Sequence, residues 1–304
     1  MSVEMELAAA PPDFGETQRN IQQMSDLRFL LNVSRPRFWF YIFGPYIVGL
    51  IAGADFPQQL YSPIFLLYGI YFTLPANLLI YGVNDIYDYE TDKLNEKKAG
   101  YETLVSPDLR PKLWLAIFLT NFAFIDIFFH GNFSVIVSGI CFLFFSVFYS
   151  APPIRAKTKP FLDSAFNVLY VLPGAFGYSL ITGEFPPAAI IVAAGLWTAA
   201  MHAYSAIPDI EADKDAGLKT IATVLGPLGT LAACSLLYLG AAIISFEWLG
   251  FTSISIGSAY LILMAASVVS VRSGTLFKLY KAFPLINILA GFIIFWQIAL
   301  NKFF

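Results

Sequence analysis

The sequence predicts an all-α protein that crosses a membrane nine times. Charged residues make up 13% of the chain and hydrophobic residues 58%, whereas an ordinary soluble domain is roughly 25% charged. Nine stretches are apolar over about the 20 residues that a helix needs to cross a bilayer. Lys and Arg also fall almost entirely on one side of these stretches, as in multi-pass proteins. The excess of apolar surface must therefore face lipid.

The nine apolar stretches are separated by short segments rich in turn-forming residues. The predicted spans are 38–54, 61–84, 113–131, 133–149, 162–183, 186–206, 224–246, 248–271 and 282–301. Acidic clusters end both the second and the sixth span, which is consistent with a degenerate repeat of a four-helix unit.

The distribution of positive charge predicts the orientation. With nine spans and a cytoplasmic N-terminus, every Lys and Arg except Lys302 lies on the cytoplasmic side, which is the asymmetry expected of a multi-pass protein. The long polar connections lie on that side too: 85–112, 150–161, 207–223 and 272–281. We therefore expect a multi-pass protein of the cell (plasma) membrane whose active-site loops are cytoplasmic.

The rest of the composition excludes several other classes. The net charge of −3 does not suggest a nucleic-acid partner. Cys141 and Cys234 are isolated within apolar runs, so they are expected to be small buried hydrophobes rather than a disulfide. Residues 1–32 form a polar, acidic segment without the apolar core of a signal peptide, and the membrane domain is expected to cover 33–304.

An acidic motif ends the second span. Asn84, Asp88 and Asp92 are four residues apart, so a helix places them on one face, with Asp85 beside them. A solvated helix end is the simpler explanation. However, an Asp at membrane depth costs about 2.5–3.5 kcal/mol, and a helix C-terminus disfavours each anion by about 0.3–1 kcal/mol. So unfavourable a placement indicates a bound cation.

A second acidic motif, Asp209 and Asp213, ends the sixth span with the same one-turn spacing. His202 lies on the same face, although a lone His within a span is more often a structural hydrogen-bonding group than a catalyst. Mg²⁺ is usually held by one or two carboxylates together with water and substrate phosphates, and the motifs lack the Cys and paired His of a zinc site. The two motifs therefore predict Mg²⁺ sites that clamp and neutralise a diphosphate.

A basic loop, residues 149–159, directly follows the fourth span. Its Pro-Pro pair favours an extended turn, from which Arg155 and Lys157 project. Alone, these charges would be explained by membrane topology. Beside two acidic motifs, they are better explained as ligands of diphosphate oxygens. Arg35 and Arg37, just before the first span, are similar candidates.

Three ordered motifs in this chain resemble those of the UbiA superfamily of intramembrane prenyltransferases. The family pattern NDxxDxxxD is matched by Asn84, Asp85, Asp88 and Asp92, DxxxD by Asp209 and Asp213, and YSxPPxRxK by residues 149–157. The stretches around these motifs, 34–39, 81–98 and 206–223, are most similar to the carotenoid-modifying branch, the lycopene elongases.

The resemblance implies a UbiA-type bundle of nine helices and a prenyl-transfer reaction. It implies that Mg²⁺ is held by Asp88, Asp92, Asp209 and Asp213, with Asn84 and Asp85 assisting. It assigns the diphosphate of the donor to Arg37, Arg155, Lys157 and Tyr149. The donor would be dimethylallyl diphosphate or a longer homologue, and the acceptor lycopene or a related carotenoid. The allylic cation would alkylate a terminal double bond of the acceptor inside the bundle, away from water.

Two alternatives stay open. The acceptor could be an aromatic ring, as in quinone biosynthesis, which would require a polar group placed for a hydroxybenzoate or naphthoate. An ion-coupled transporter would instead place acids near the middle of the membrane on broken helices, whereas these acids cluster at the predicted cytoplasmic ends.

Overall fold

The computed structural model describes residues 25–92, 104–273, 276–280 and 282–304, and the long elements in these ranges are α-helices. The helices are α1 (Asp26–Ser34), α2 (Phe40–Gly53), α3 (Pro63–Tyr71), α4 (Leu74–Asp92), α5 (Arg110–Phe122), α6 (Ile127–His130), α7 (Phe133–Ser150), α8 (Leu162–Ala165), α9 (Leu172–Thr182), α10 (Ala188–Ala206), α11 (Ile210–Asp215), α12 (Ile221–Leu249), α13 (Phe251–Ser273), α14 (Leu276–Tyr280) and α15 (Phe283–Phe303).

Eight helical runs among the described residues are long and apolar enough to cross a membrane. They correspond to the second through ninth predicted spans. The first predicted span is α2, which is apolar but has 14 residues and is therefore about 21 Å long, shorter than a typical hydrocarbon core of about 30 Å. The predicted all-α membrane bundle is confirmed, and its count of nine holds if α2 is included.

The N-terminal segment predicted as polar lies largely outside the described residues, which begin at residue 25. Helix α1 crosses the expected boundary at residue 32. Its Phe29 and Val33 are buried in the same core as α2 and α4. The end of this segment is thus part of the packed bundle, because successive turns of α1 carry apolar side chains on one face.

The second span is interrupted between α3 and α4, and Asn77 stabilises the break. Pro75, in the first turn of α4, has no backbone N–H to donate. The amide of Asn77 donates instead to the carbonyl oxygens of Phe72 and Thr73, at 3.3 and 2.6 Å. On the C-terminal side of this break, α4 continues without interruption to Asp92, eight residues beyond the predicted end of the span.

Two clusters of buried side chains fill the bundle. The first lies among α1–α7 and α9, with Tyr46 and Phe72 fully buried. The second lies among α10–α15, with Tyr204 and Tyr238 fully buried. Tyr170, in the 3-10 turn between α8 and α9, packs against both clusters. The segment that holds Tyr170 therefore joins the two halves.

Helices α2 and α9 approach each other closely because glycines face one another across the contact. A Cβ on Gly49 would overlap the carbonyl oxygen of Gly174, and a Cβ on Gly177 would lie 2.5 Å from the carbonyl oxygen of Tyr46. Small residues at such crossings allow backbones to pack directly within a bilayer, where no hydrophobic effect drives helices together. This contact therefore determines where α2 stands in the first half.

We expect Gly49→Ala to destabilise the protein by about 1–3 kcal/mol, because the new methyl group forces α2 and α9 apart. Thermal unfolding in detergent measures the effect. Gly44→Ala is the matched control, since it lies on the same helix and its Cβ would have no atom within 4 Å. Equal unfolding midpoints for the two variants would contradict the close crossing.

Candidate active site

The first acidic motif forms one buried face at the C-terminal end of α4. Asp85 and Asp88 expose 4% and 3% of their side chains. The amide of Asn84 donates to Asp88 Oδ2 at 2.7 Å and to the hydroxyl of Ser150 at 3.0 Å. Because Ser150 is the last residue of α7, this amide connects the motif to the neighbouring helix. The four-residue spacing thus places these groups together, as the helical period predicts.

Each of these two carboxylates contacts a cationic side chain from another part of the chain. Arg35 Nη2 donates to Asp85 Oδ1 at 2.5 Å. Lys157 Nζ forms an ion pair with Asp88 Oδ2, and Arg155 Nη2 lies 3.6 Å from Asp88 Oδ1. Opposite charges that are held together under such burial offset the cost of removing each from water. The site therefore alternates acidic and basic groups.

Backbone conformation brings the two arginines to this place. Arg35 follows α1 with φ 52° and Arg155 precedes the 3-10 turn 156–158 with φ 46°. Both lie in the left-handed region, which is uncommon for residues other than Gly. Strain of this kind persists where the surrounding structure holds it, often at functional sites.

Lys157 lies between the two acidic motifs. Burial lowers the pKa of its ammonium group to about 7, while the carboxylates of Asp85 and Asp213 act in the opposite direction. An additional anion beside Lys157 would favour its charged form. The position is thus suited to a group with several negative oxygens.

The second acidic motif does not lie on one uninterrupted helix. Pro208 falls in a 3-10 turn, Ile207–Asp209, between α10 and α11, and Asp213 lies in α11. The hydroxyl of Thr220 donates to Asp213 Oδ2 at 3.4 Å. A proline removes one backbone donor and disfavours a continuing helix, so the one-turn spacing of the sequence becomes a bent turn here.

No group of three or more His, Cys, Asp or Glu side chains in the described ranges is arranged to hold a metal ion alone. Asp92 is the last residue of α4, but its side chain lies outside the described part of the structure. Buried oxygen donors such as Asp85 and Asp88 fit Mg²⁺, which commonly takes one or two carboxylates and completes its coordination with water and substrate phosphates. The donor set therefore fits the metal that the sequence predicts.

Two other predicted residues lie at the edge of this site. Arg37 is exposed, and its guanidinium lies 4.8 Å from the ring centroid of Phe38. Tyr149 is half-buried, and its ring stands edge-on to that of His202 at 6.0 Å. Arg35, which precedes the first span together with Arg37, contacts the acidic face through Asp85, because the left-handed turn directs it toward α4.

An aromatic cluster lies next to the acidic face, one turn earlier on α4. Four aromatic side chains contact one another in turn: Phe38, Tyr41, Tyr170 and Tyr81. The ring centroids of three neighbouring pairs lie 5.7–6.3 Å apart, and the hydroxyl oxygens of the fourth pair, Tyr81 and Tyr170, lie 3.4 Å apart. The guanidinium of Arg35 lies 4.8 Å from the Tyr81 ring centroid. Ring faces attract cations, so the cluster joins the charged site to the apolar interior.

Sequence reasoning missed Asp163, which is fully buried at the start of α8. Oδ2 of Asp163 accepts a hydrogen bond from the backbone N–H of Ile221 at 2.7 Å and lies 3.9 Å from His202 Nε2. The available signal was an acid at the very beginning of an apolar span, a position that is costly without partners.

Comparison with known proteins gives concordant matches. The profile of the UbiA prenyltransferase family matches residues 42–283. A lycopene elongase/hydratase of Haloferax volcanii is 35% identical over 97% of this chain and 96% of its own length. One of Haloarcula japonica is 42% identical over 72% and 74%. A solved UbiA homolog from Archaeoglobus fulgidus, bound to DMAPP and Mg²⁺, has a TM-score of 0.62 at 22% identity, covering 88% of this chain and 98% of that one.

We expect Arg35→Met to destabilise the folded protein by about 3–5 kcal/mol, because it leaves the buried carboxylate of Asp85 without this ion pair. Thermal unfolding in detergent measures the loss. Arg28→Met is the control, since Arg28 is an exposed residue of α1 and its substitution should change stability by less than about 1 kcal/mol. In the double variant Arg35→Met/Asp85→Asn much of the loss should be recovered. Similar effects for the two arginines would contradict the assignment.

Proposed function

The chain belongs to the UbiA prenyltransferase family and is a multi-pass membrane prenyltransferase, and on that premise we propose that it prenylates a carotenoid. The donor is dimethylallyl diphosphate, the acceptor is lycopene or a close relative, and the reaction depends on Mg²⁺. The observation that carries the proposal is the acidic face of α4, where buried Asp85 and Asp88 each contact a cationic side chain next to the aromatic cluster.

The diphosphate of the donor binds between the acidic motifs. Arg35, Arg155 and Lys157 hold its oxygens, with Arg37 and Tyr149 at the edge of the site. Charge-assisted hydrogen bonds from guanidinium groups suit phosphate geometry well. Asp88, Asp92, Asp209 and Asp213 hold Mg²⁺, with Asn84 and Asp85 assisting. The bound metal supplies neutralisation of the diphosphate charge.

The bond that breaks joins the allylic carbon of the donor to its diphosphate oxygen. Negative charge grows on the leaving group as that bond lengthens, so Lys157 and Arg155 stabilise the transition state more than the ground state. Positive charge grows on the allylic carbon at the same time. The ring faces of Tyr81 and Tyr170 stabilise that charge and exclude water from it.

The acceptor assignment is supported by the relatives. The Haloferax volcanii protein is described as a lycopene elongase/hydratase and aligns along nearly the whole of this chain. The attacking group is then a terminal carbon–carbon double bond of the acceptor. The resulting cation loses a proton or captures water, which completes the transfer.

The orientation follows from charge. The site lies at the end of the bundle that carries Arg35, Arg155 and Lys157, and the positive-inside rule assigns such an end to the cytoplasm. A water-soluble donor reaches the site from that side, while a lipophilic acceptor enters from the bilayer of the plasma membrane.

We expect membranes that contain the protein to transfer label from dimethylallyl diphosphate to lycopene, and EDTA to abolish transfer. Asp88→Asn and Asp209→Asn should each lower the rate by at least about 100-fold, because each removes charge from the diphosphate site. The product is identified by chromatography and mass spectrometry. 4-Hydroxybenzoate is offered in parallel as the competing acceptor.

Asp126→Asn is the matched control for this assay. Asp126 is exposed, pairs with His130 and lies at the opposite end of the bundle, so transfer should be unchanged. Label in the aromatic product alone would contradict the carotenoid acceptor and keep the chemistry. No transfer to either acceptor by a folded protein would contradict the proposed function.

The orientation is tested by thiol labelling in a background without Cys141 and Cys234. Lys159→Cys and Glu184→Cys place thiols at exposed positions on opposite ends of the bundle. We expect an impermeant reagent added to intact cells to label the second variant alone, and both after the membrane is opened. The reverse pattern would place the site outside the cell.

A further inference from the structure

Asp163 has an environment that membrane topology does not explain. Its side chain is fully buried, and it lies between the two acidic motifs in the sequence without belonging to either. Oδ1 accepts a hydrogen bond from the backbone N–H of Ser164 at 2.8 Å, and Oδ2 accepts one from the backbone N–H of Ile221 at 2.7 Å. Both carboxylate oxygens therefore hold backbone groups in place.

The bond to Ile221 fixes the start of α12. Ile221 is the first residue of that helix, and its N–H is one of the four donors that a helix leaves unpaired at its N-terminus. Thr220 is the N-cap, and its hydroxyl oxygen accepts from the N–H of Thr223 at 3.3 Å. The positive end of the α12 dipole also favours the negative charge of Asp163.

Thr220 also connects this helix start to the second acidic motif. Its hydroxyl donates to Asp213 Oδ2 at 3.4 Å. The position of Thr220 depends on where α12 begins, and Asp163 holds that point. A continuous path of hydrogen bonds and one peptide link therefore runs from Asp163 to the carboxylate of Asp213.

The segment that runs from Lys157 to Asp163 connects Asp163 to the first acidic motif. Lys157 contacts Asp88, and the chain between Lys157 and Asp163 is braced by its own backbone. The N–H of Asp163 donates to the carbonyl of Lys159 at 2.9 Å, and the N–H of Lys159 donates to that of Ala156 at 2.9 Å. Residues 157–163 thus bridge the two motifs.

We propose that Asp163 is a positioning residue that holds the second acidic motif in register with the first. This role rests on the proposed function, in which both motifs bind one metal–diphosphate group. In this role Asp163 acts on Asp213 through Ile221 and Thr220. Outer groups that orient metal ligands typically change metal affinity by about 10- to 100-fold when they are removed.

The test is thermal unfolding of the purified protein in detergent, titrated with Mg²⁺ at a fixed concentration of inorganic pyrophosphate. Asp163→Asn preserves the shape of the side chain, but its amide cannot accept both backbone hydrogen bonds at once. We expect the Mg²⁺ concentration for half-maximal stabilisation to rise by about 10- to 100-fold. Thr220→Val, which removes the hydroxyl that donates to Asp213, should also raise this Mg²⁺ concentration. Thr220→Ser, which keeps a hydroxyl, should leave it near the wild-type value.

Ser134→Ala is the control for a purely structural role. Ser134 is buried, and its hydroxyl donates to the carbonyl of Gly183 at 2.8 Å at the opposite end of the bundle. This variant should lower the unfolding temperature and leave the Mg²⁺ titration unchanged. An unchanged titration in both Asp163→Asn and Thr220→Val would overturn the proposal, as would an equal shift in Ser134→Ala.

If Asp163→Asn does not fold, Ile221→Pro tests the same hydrogen bond from its other end, because proline is tolerated at the first position of a helix and lacks the N–H that donates to Asp163. It should raise the half-maximal Mg²⁺ concentration as well, and an unchanged titration would overturn the proposal. If Mg²⁺ and pyrophosphate do not stabilise the wild-type protein at all, the proposed function fails and this role fails with it. If they do stabilise the wild-type protein, an unchanged titration in the variants counts against the role of Asp163 alone.

Discussion

The pairing of buried carboxylates with cations is the constraint on which this structure depends. Asp85 and Asp88 stand near the C-terminal end of α4, and their burial disfavours negative charge that has no partner. Their partners, Arg35 and Lys157, come from segments on either side of α4 in the sequence. The turn after α1 and the loop after α7 therefore have to converge on one point, and this convergence organises the whole end of the bundle.

The interior beneath that end is apolar and aromatic, and it is built differently. Glycines allow α2 and α9 to touch through their backbones, which brings Tyr41 and Tyr170 to the same aromatic cluster. Close packing of this kind leaves little freedom for rings to move. A reactive cation formed beside the charged end would therefore meet ring faces rather than water, which is the condition that alkylation of a hydrocarbon requires.

Much of the fold could be predicted because the signals are local. A run of about 20 apolar residues specifies a membrane helix by length alone, so eight spans agree, and the first is shorter than expected. The spacing of Asn84 and Asp88 placed them on one face, with Asp85 beside them, because a helix repeats every 3.6 residues. The break at Pro208 departs from that rule, since proline bends the turn that carries Asp209.

By itself the sequence determined the class of protein, the order of its apolar helices, and which acids share a helix face, because each follows from composition or from a short-range period. Tertiary structure alone decided that Arg35 meets Asp85, that Lys157 meets Asp88, and that Asp163 holds the start of α12. Such contacts join residues that lie 50 to 69 positions apart. They exist because helices pack in one arrangement, and no local pattern specifies which side chains then face one another.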